Sequence, residues 1–165
     1  MASQVTRSSD SAEMTSTNFS SWFNQAEGTV YSEMASNMSF ATAGVNKVGW
    51  QIDSGSGQSN RFNWNHTASS LAVVLNGSVV ASFDNTDAVI NTFYKNAFAY
   101  RTNDFANSFN AGTVGTDTLG ALPIMARLRI GDQGSNDAVL NGTIKKIACY
   151  PKKLTNAELQ GLTTV

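Results

Sequence analysis

One cysteine, one histidine and two prolines are all that 165 residues contain of these types. The single thiol, Cys149, rules out an intrachain disulfide framework and a cysteine-based zinc cluster. Lying in the apolar run Ile144 to Tyr150, it reads as a small buried hydrophobe rather than a reactive group. The single histidine, His66, removes every His-pair metal site and leaves one candidate general base. Charge is also scarce: 14% of the residues are Asp, Glu, Lys or Arg, against about 25% in ordinary soluble proteins. The net charge of -1 leaves no basic excess to neutralise phosphates, so nucleic acid is not an expected partner. No apolar run approaches the ~18 residues of a membrane span, and the opening residues lack the charged-then-apolar order of a signal peptide. Neither membrane insertion nor export is expected.

Ser, Thr and Asn fill the place of the missing charge, at roughly a third of the chain, and they favour turns and strand surfaces over helix interiors. The five Asn-X-Ser/Thr triplets, at Asn18, Asn37, Asn65, Asn76 and Asn141, follow from that bias. With 41% hydrophobic residues the chain suits one domain with a sizeable core. Residues 1–17 are polar and unpatterned and read as a flexible arm or linker, leaving 18–165 as the folded domain. Short runs suited to strands follow at Thr29 to Ser36, Asn46 to Asp53, Arg61 to Asn65, Leu71 to Leu75, Val79 to Phe83, Ala97 to Thr102 and Ala126 to Ile130, separated by Gly, Asn, Asp or Ser. That spacing predicts an all-β sandwich or barrel. Asn76-Gly77 between two apolar runs is the preferred two-residue hairpin turn. Alternation places Val48, Trp50, Ile52, Phe62, Trp64, Phe98 and Tyr100 in the core, and turns Arg127 and Arg129 away from Leu128 and Ile130. The chain closes with a strand to Tyr150, a stop at Pro151 and a short helix over Thr155 to Gly161, for which Thr155 and Glu158 form a capping box.

Catalytic constellations are absent from this pattern. A Ser-His-Asp set drawn from His66 with Asp53 or Asp104 lacks the Gly-X-Ser-X-Gly elbow. Gly55 to Asn60 joins two strands and does not open a helix, so it is no nucleotide loop. No expected strand carries two carboxylates on one face, as a glycosidase pair on a single strand would require. Binding is the more natural use of the polar residues, because planar amides and guanidinium groups pair with sugar hydroxyls while aromatic rings cover C–H faces. Two sets qualify as carbohydrate-binding candidates: Asn60, Arg61, Asn63 and His66, with Asn65, around Trp64; and Tyr94, Arg101, Asn103 and Asp104 around Tyr100. Trp64 and Tyr100 also belong to the expected core. Arg127, Arg129, Lys145, Lys146, Lys152 and Lys153 crowd the last quarter and read as solvated strand faces, with an anionic glycan or a neighbouring subunit as the alternative.

The segment Leu140 to Gln160, with Asn141-Gly142, Ile144, Ile147-Ala148, Tyr150-Pro151, Leu154 and Ala157-Glu158-Leu159-Gln160, resembles the close of concanavalin A-like lectin/glucanase (laminin G-like) domains in structural proteins of tailed bacteriophages. Cys149 departs from it at a usually aromatic place. Thr17 to Thr29 is similar to the opening strand of those domains, and Ala97 to Tyr100 with Asn103 to Ala106 to their centre. The resemblance implies a two-sheet antiparallel jelly-roll β-sandwich with one short C-terminal helix. It also implies a non-catalytic place on the virion surface, in tail or capsid, as a fibre, spike or head-decoration module that contacts other virion proteins. There it would bind polysaccharide on a cell surface or in the environment, as a homo-oligomer with a trimer favoured. A purely architectural role contacting only protein is the second expectation, and a small glycan-cleaving enzyme the third. Some members of the wider superfamily bind calcium through loop carboxylates, for which Asp132 and Asp137 are the candidates; otherwise no cofactor is expected.

Overall fold

The computed structural model describes residues 12–38, 47–55, 58–65, 70–84, 89–134 and 138–164. The strands are β1 (Ala12–Thr15), β2 (Glu27–Ser36), β3 (Val48–Asp53), β4 (Arg61–Asn65), β5 (Ser70–Leu75), β6 (Ser78–Asp84), β7 (Tyr94–Arg101), β8 (Asp104–Phe109), β9 (Gly115–Asp117), β10 (Arg127–Ile130) and β11 (Gly142–Tyr150). The described residues also form two helices, α1 (Ser16–Ser20) and α2 (Asn156–Thr163). A six-stranded sheet runs in the order β1-β10-β3-β4-β5-β6 and a five-stranded sheet in the order β11-β2-β7-β8-β9, with every named pair antiparallel. The molecule is the expected jelly-roll sandwich.

Between the sheets, the alternating apolar residues interdigitate at close to crystal density, as aligned sandwiches do. Trp50, Ile52, Phe62, Trp64 and Leu71 from the six-stranded sheet and Phe98 and Phe105 from the other have no exposed surface. Phe62 meets Phe98 edge-on with centroids 5.5 Å apart. The Trp50 indole donates to Ser32 Oγ at 3.1 Å, so the buried N–H crosses from one sheet to the other with its hydrogen bond made. On its far side the five-stranded sheet presents Tyr31, Ala97, Ala99 and Ala106 to Leu154 and Leu159. The small alanines let α2 lie close against the strands. Thr155 caps that helix, its hydroxyl accepting from the Glu158 amide. The Glu158 carboxylate accepts from the Thr155 N–H and the Thr155 hydroxyl, and these two hydrogen bonds to the carboxylate hold it below its usual range.

Two expectations about the start of the chain need correction. Ala12–Thr15 is a strand paired with β10, so the sheet begins inside the segment read as a flexible arm; residues 1–11 lie outside the described residues. The stretch resembling an opening strand is instead the single-turn α1 followed by a turn, and the strand starts only at Glu27. Phe19, Trp22 and Phe23 explain the difference. They cluster on one another at centroid distances of 4.5 to 5.9 Å, a packing that a straight strand, with side chains on opposite faces, does not allow.

Asn141 takes a left-handed φ of 45°, and the residue after it must be glycine because a Cβ on Gly142 would collide with the Ala35 carbonyl oxygen. Cys149 is half-buried in an apolar crevice with Met14, Trp22, Leu128, Ile130 and Ile147. Burial pushes its thiol up to about 11.

Replacing Thr155 by Ala removes the cap and lowers unfolding free energy by about 1 kcal/mol in urea titrations, with the native β signal unchanged. A raised thiol pKa leaves roughly a hundredfold less thiolate at pH 8 than in the unfolded chain, so Cys149 reacts slowly with thiol reagents until denaturant is added. Above pH 9 the same shift lowers stability, since the unfolded chain then releases the thiol proton that the folded one keeps.

Candidate functional site

Both inner faces form the core and α2 covers the outer face of the five-stranded sheet, which leaves the outer face of the six-stranded sheet. Strand alternation sends every second residue there. The register aligns Thr15, Arg127, Asp53, Arg61 and Val74 in one row across β1, β10, β3, β4 and β5, and Glu13, Arg129, Gln51, Asn63 and Ala72 in the next. Three guanidinium groups, two amides and two carboxylates therefore share two adjacent rows.

Asp53 is the hub. Its carboxylate is fully buried, and Arg127 Nε donates to Oδ1 at 2.6 Å while Arg129 Nε lies 3.6 Å from Oδ2. The Gly55 amide adds a hydrogen bond to Oδ1 at 2.7 Å and Gln51 Nε2 one to Oδ2 at 2.8 Å. Both arginine side chains are only 16% exposed. Glu13 approaches both of them at 3.8 Å from the edge strand, and Asp132 lies 3.9 Å from Arg129. Next in the row, Arg61 donates through Nε to Asn63 Oδ1 at 3.2 Å and through Nη1 to the Gln58 carbonyl. Asn63 passes the chain on to Asn65 at 2.8 Å. Burial draws the Arg61 guanidinium's pKa down and the Asp53 charge opposes the shift. The loop after β10 closes over Arg129: Gly134, at φ 84°, leaves room for the guanidinium where a side chain would collide with it. Gln51 Oε1 is buried without a hydrogen-bond partner.

This arrangement can hold planar or vicinal oxygen pairs. Guanidinium donors fixed by their neighbours present their remaining N–H groups in a fork that fits a carboxylate or two adjacent hydroxyls, and the amides supply both donors and acceptors.

Of the residues expected to bind carbohydrate, Arg61 and Asn63 stand on this face. Asn60 does not join them, because its Oδ1 accepts from the Asn76 amide and so ties the β5–β6 hairpin turn to the β3–β4 loop. His66 lies outside the described residues. The second set divides. Arg101 pairs with Asp104 at 2.6 Å and Lys153 with Asp104 at 3.0 Å; burial pushes the Asp104 carboxyl up, but these two partners outweigh it and hold it below its usual range. Asn103 closes the same turn at φ 55° and accepts from the Gly120 amide. Tyr94 is at the other end of β7, seven residues or about 23 Å away at strand rise. It is stacked on Phe109 at 5.2 Å with its hydroxyl accepting from Val89, and is core.

The calcium candidates are separated by what surrounds them. Asp132 accepts from the Gly134 amide at 2.7 Å and faces Arg129, so a cation already occupies its neighbourhood; Asp137 lies outside the described residues. Among the described residues no group of three or more His, Cys, Asp or Glu is placed to hold a metal ion, and no helix is long and apolar enough to cross a membrane.

The sequence alone points to neither Gln51 nor Glu13 as a site residue, offers Asp53 only for a Ser-His-Asp set, and offers Arg127 and Arg129 only as part of a basic cluster with an anionic glycan or a neighbouring subunit as the alternative. The outward turn of both arginines was legible from alternation, but their convergence on Asp53 depends on β10 pairing with β3 across 74 residues.

No family model matches the chain, and no curated protein sequence matches it. Solved structures do. The CBM40 domain of the Ruminococcus gnavus IT-sialidase, bound to α2,3-sialyllactose, superposes with a TM-score of 0.64 at 14% identity, over 85% of this chain and 84% of that one. The heptameric SAP-like pentraxin of Limulus polyphemus gives 0.62 at 11% identity, over 83% and 69%. Domains LG4-5 of the mouse laminin α1 chain give 0.58 at 8% identity, over 81% and 38%. The likeness establishes a concanavalin A-like, laminin G-like fold.

Truncating Asp53 to Ala strands two mostly buried guanidinium groups and costs about 3–5 kcal/mol in chemical unfolding. Asp53→Asn, which keeps an acceptor for Gly55, costs visibly less.

Proposed function

We propose that the chain is a non-catalytic carbohydrate-binding module that takes glycan on the outer face of the six-stranded sheet. The observation that carries this reading is the row of held guanidinium groups of Arg61, Arg127 and Arg129 on the outer face of the six-stranded sheet, which no helix covers among the described residues; Gln51, Asp53 and Asn63 beside them are buried and support them. Sugars need such pre-set planar donors, and fixing them beforehand lowers the ordering cost of binding. The sialyllactose bound by the Ruminococcus gnavus domain supports a glycan ligand on this fold, and the Arg61, Arg127 and Arg129 forks suit a carboxylated sugar among glycans. A catalytic role is disfavoured by the state of the carboxylates. Asp53 is buried and already engaged by two guanidinium groups and two N–H donors, whereas a glycosidase needs a carboxyl free to reach the scissile bond and a partner about 5–9.5 Å away across it.

The setting we infer is a bacteriophage virion, in tail fibre, spike or head decoration, where the domain attaches the particle to a polysaccharide surface as a homo-oligomer, a trimer favoured. It rests on the resemblance of Leu140 to Gln160 and of the upstream segments to phage structural proteins. The architectural reading has its own observation: Leu119 and Ile124 are 74% and 79% exposed, and such apolar side chains suit a protein contact.

A glycan array with neutral and carboxylated sugars, probed with wild type and Arg61→Ala, separates the two. Binding that falls roughly tenfold or more in the variant, at unchanged melting temperature, is the expected result. Absence of binding to every glycan, with tight association to a capsid or fibre protein, defeats it in favour of the architectural role.

A further inference from the structure

The two sheets meet solvent along β6 on one side and β9 on the other, and between these edge strands lies a cleft of about 300 Å³. That volume is at the lower end of small-molecule sites, which span roughly 300–1,000 Å³. Ser82 and Asp84 line it from β6, Thr116 and Asp117 from β9, and Asn107 from β8. Among the described residues no Lys, Arg or His lines it, so its two acidic residues, Asp84 at the outer rim and Asp117, have no cationic neighbour in its wall.

Asn107 supplies the independent sign of a ligand. Its side chain is buried, at 2% exposure, and while Nδ2 donates to the Ala97 carbonyl at 3.4 Å, Oδ1 has no hydrogen-bond partner. An acceptor in that position is costly to leave unmade. Asp117 is fixed in place by the Leu119 amide, which donates to Oδ1 at 2.8 Å. Opposite Asn107 on β9 stands Gly115, where a Cβ would come within 2.9 Å of Phe83 Cδ1. The missing side chain opens the cleft onto the Phe83 ring.

We propose that this cleft is a second ligand site, for a small polyhydroxyl molecule bearing a protonated amine, of which an amino sugar is the simplest case. The carboxylates and the Asn107 carbonyl oxygen accept from the ammonium and hydroxyl donors, the threonine and serine hydroxyls exchange hydrogen bonds with the remaining hydroxyls, and the Phe83 ring covers a C–H face. A hard divalent cation fits less well, since calcium takes 6–8 oxygens at about 2.3–2.6 Å and only two carboxylates line a space of sugar size. Ser82 continues the row of Gln51, Asn63 and Ala72 at the far edge of the same sheet, two strands beyond Asn63, so the inference rests on the edge cleft and not on the arginines.

The test is an amide-resolved NMR titration of the whole chain in calcium-free buffer with glucosamine, glucose and calcium chloride in turn. Glucosamine is expected to move the Asn107 side-chain amide and the Gly115 and Thr116 backbone amides saturably, with glucose roughly tenfold weaker or worse. Asp84→Asn, at an exposed position, and Asp117→Asn, which keeps the acceptor for Leu119, each weaken glucosamine severalfold and leave resonances of Arg61 and Asn63 where they are. The proposal is overturned if glucosamine at tens of millimolar moves none of these signals, if glucose binds as well, or if calcium saturates them and glucosamine fails to compete.

Discussion

A carboxylate with no exposed surface has to be paired, and the pairing of Asp53 with Arg127 and Arg129 organises the whole open side of this sandwich. Burying a charge is tolerated only when opposite charge and hydrogen bonds meet it. That requirement acts on register. β10 must lie against β3 so that Arg127 stands opposite Asp53, and a slip of one residue would bring Leu128 out to the carboxylate and drive both arginines toward Trp50 and Ile52. The same register that fills the core thus satisfies the outer face, and the two demands reinforce each other.

From this follows the asymmetry between the sheets. The five-stranded sheet spends its outer face on α2, with alanines beneath Leu154 and Leu159. Among the described residues no helix covers the six-stranded sheet, whose outer face carries polar groups that hold one another in place from Glu13 on β1 to Asn65 on β4, with Gln51, Asp53 and Asn63 buried among them. Groups locked by neighbours on rigid strands are better recognition elements than the same groups on loops, because little freedom remains to be lost on binding. The turn at Arg101, Asn103 and Asp104 is polar too, but Lys153 and Gly120 use its side chains to fasten the five-stranded sheet to its surroundings.

Much of the architecture was legible in local pattern. Alternation located Trp50, Ile52, Phe62 and Trp64 in the core, Asn76-Gly77 marked a hairpin that the structure contains, and Thr155 with Glu158 marked the helix start. The losses have physical causes. β1 and β9 are short and polar, and strands of that kind form only because a neighbour offers its hydrogen bonds. Tyr94 looked like a polar aromatic because its hydroxyl says nothing of Phe109, fifteen residues on, against which it stacks. Gln51 carried no local signal and Asp53 suggested only a member of a Ser-His-Asp set, since nothing in β3 itself reveals that Arg127 and Arg129 will arrive from the far end of the chain. Local alternation gives the face a residue takes; which strand lies beside it is a long-range property.

The central claim is that the guanidinium face receives the oligosaccharide that the domain recognises. It is tested most directly by following the arginine Nε–H resonances of Arg61, Arg127 and Arg129, together with the backbone amides, while adding the oligosaccharide that binds best on an array. The account predicts saturable shifts at those Nε–H groups and at Gln51 and Asn63, with α2 unmoved. Shifts confined to α2 or to the β7–β8 turn, with the three arginine signals unchanged at saturation, would contradict it.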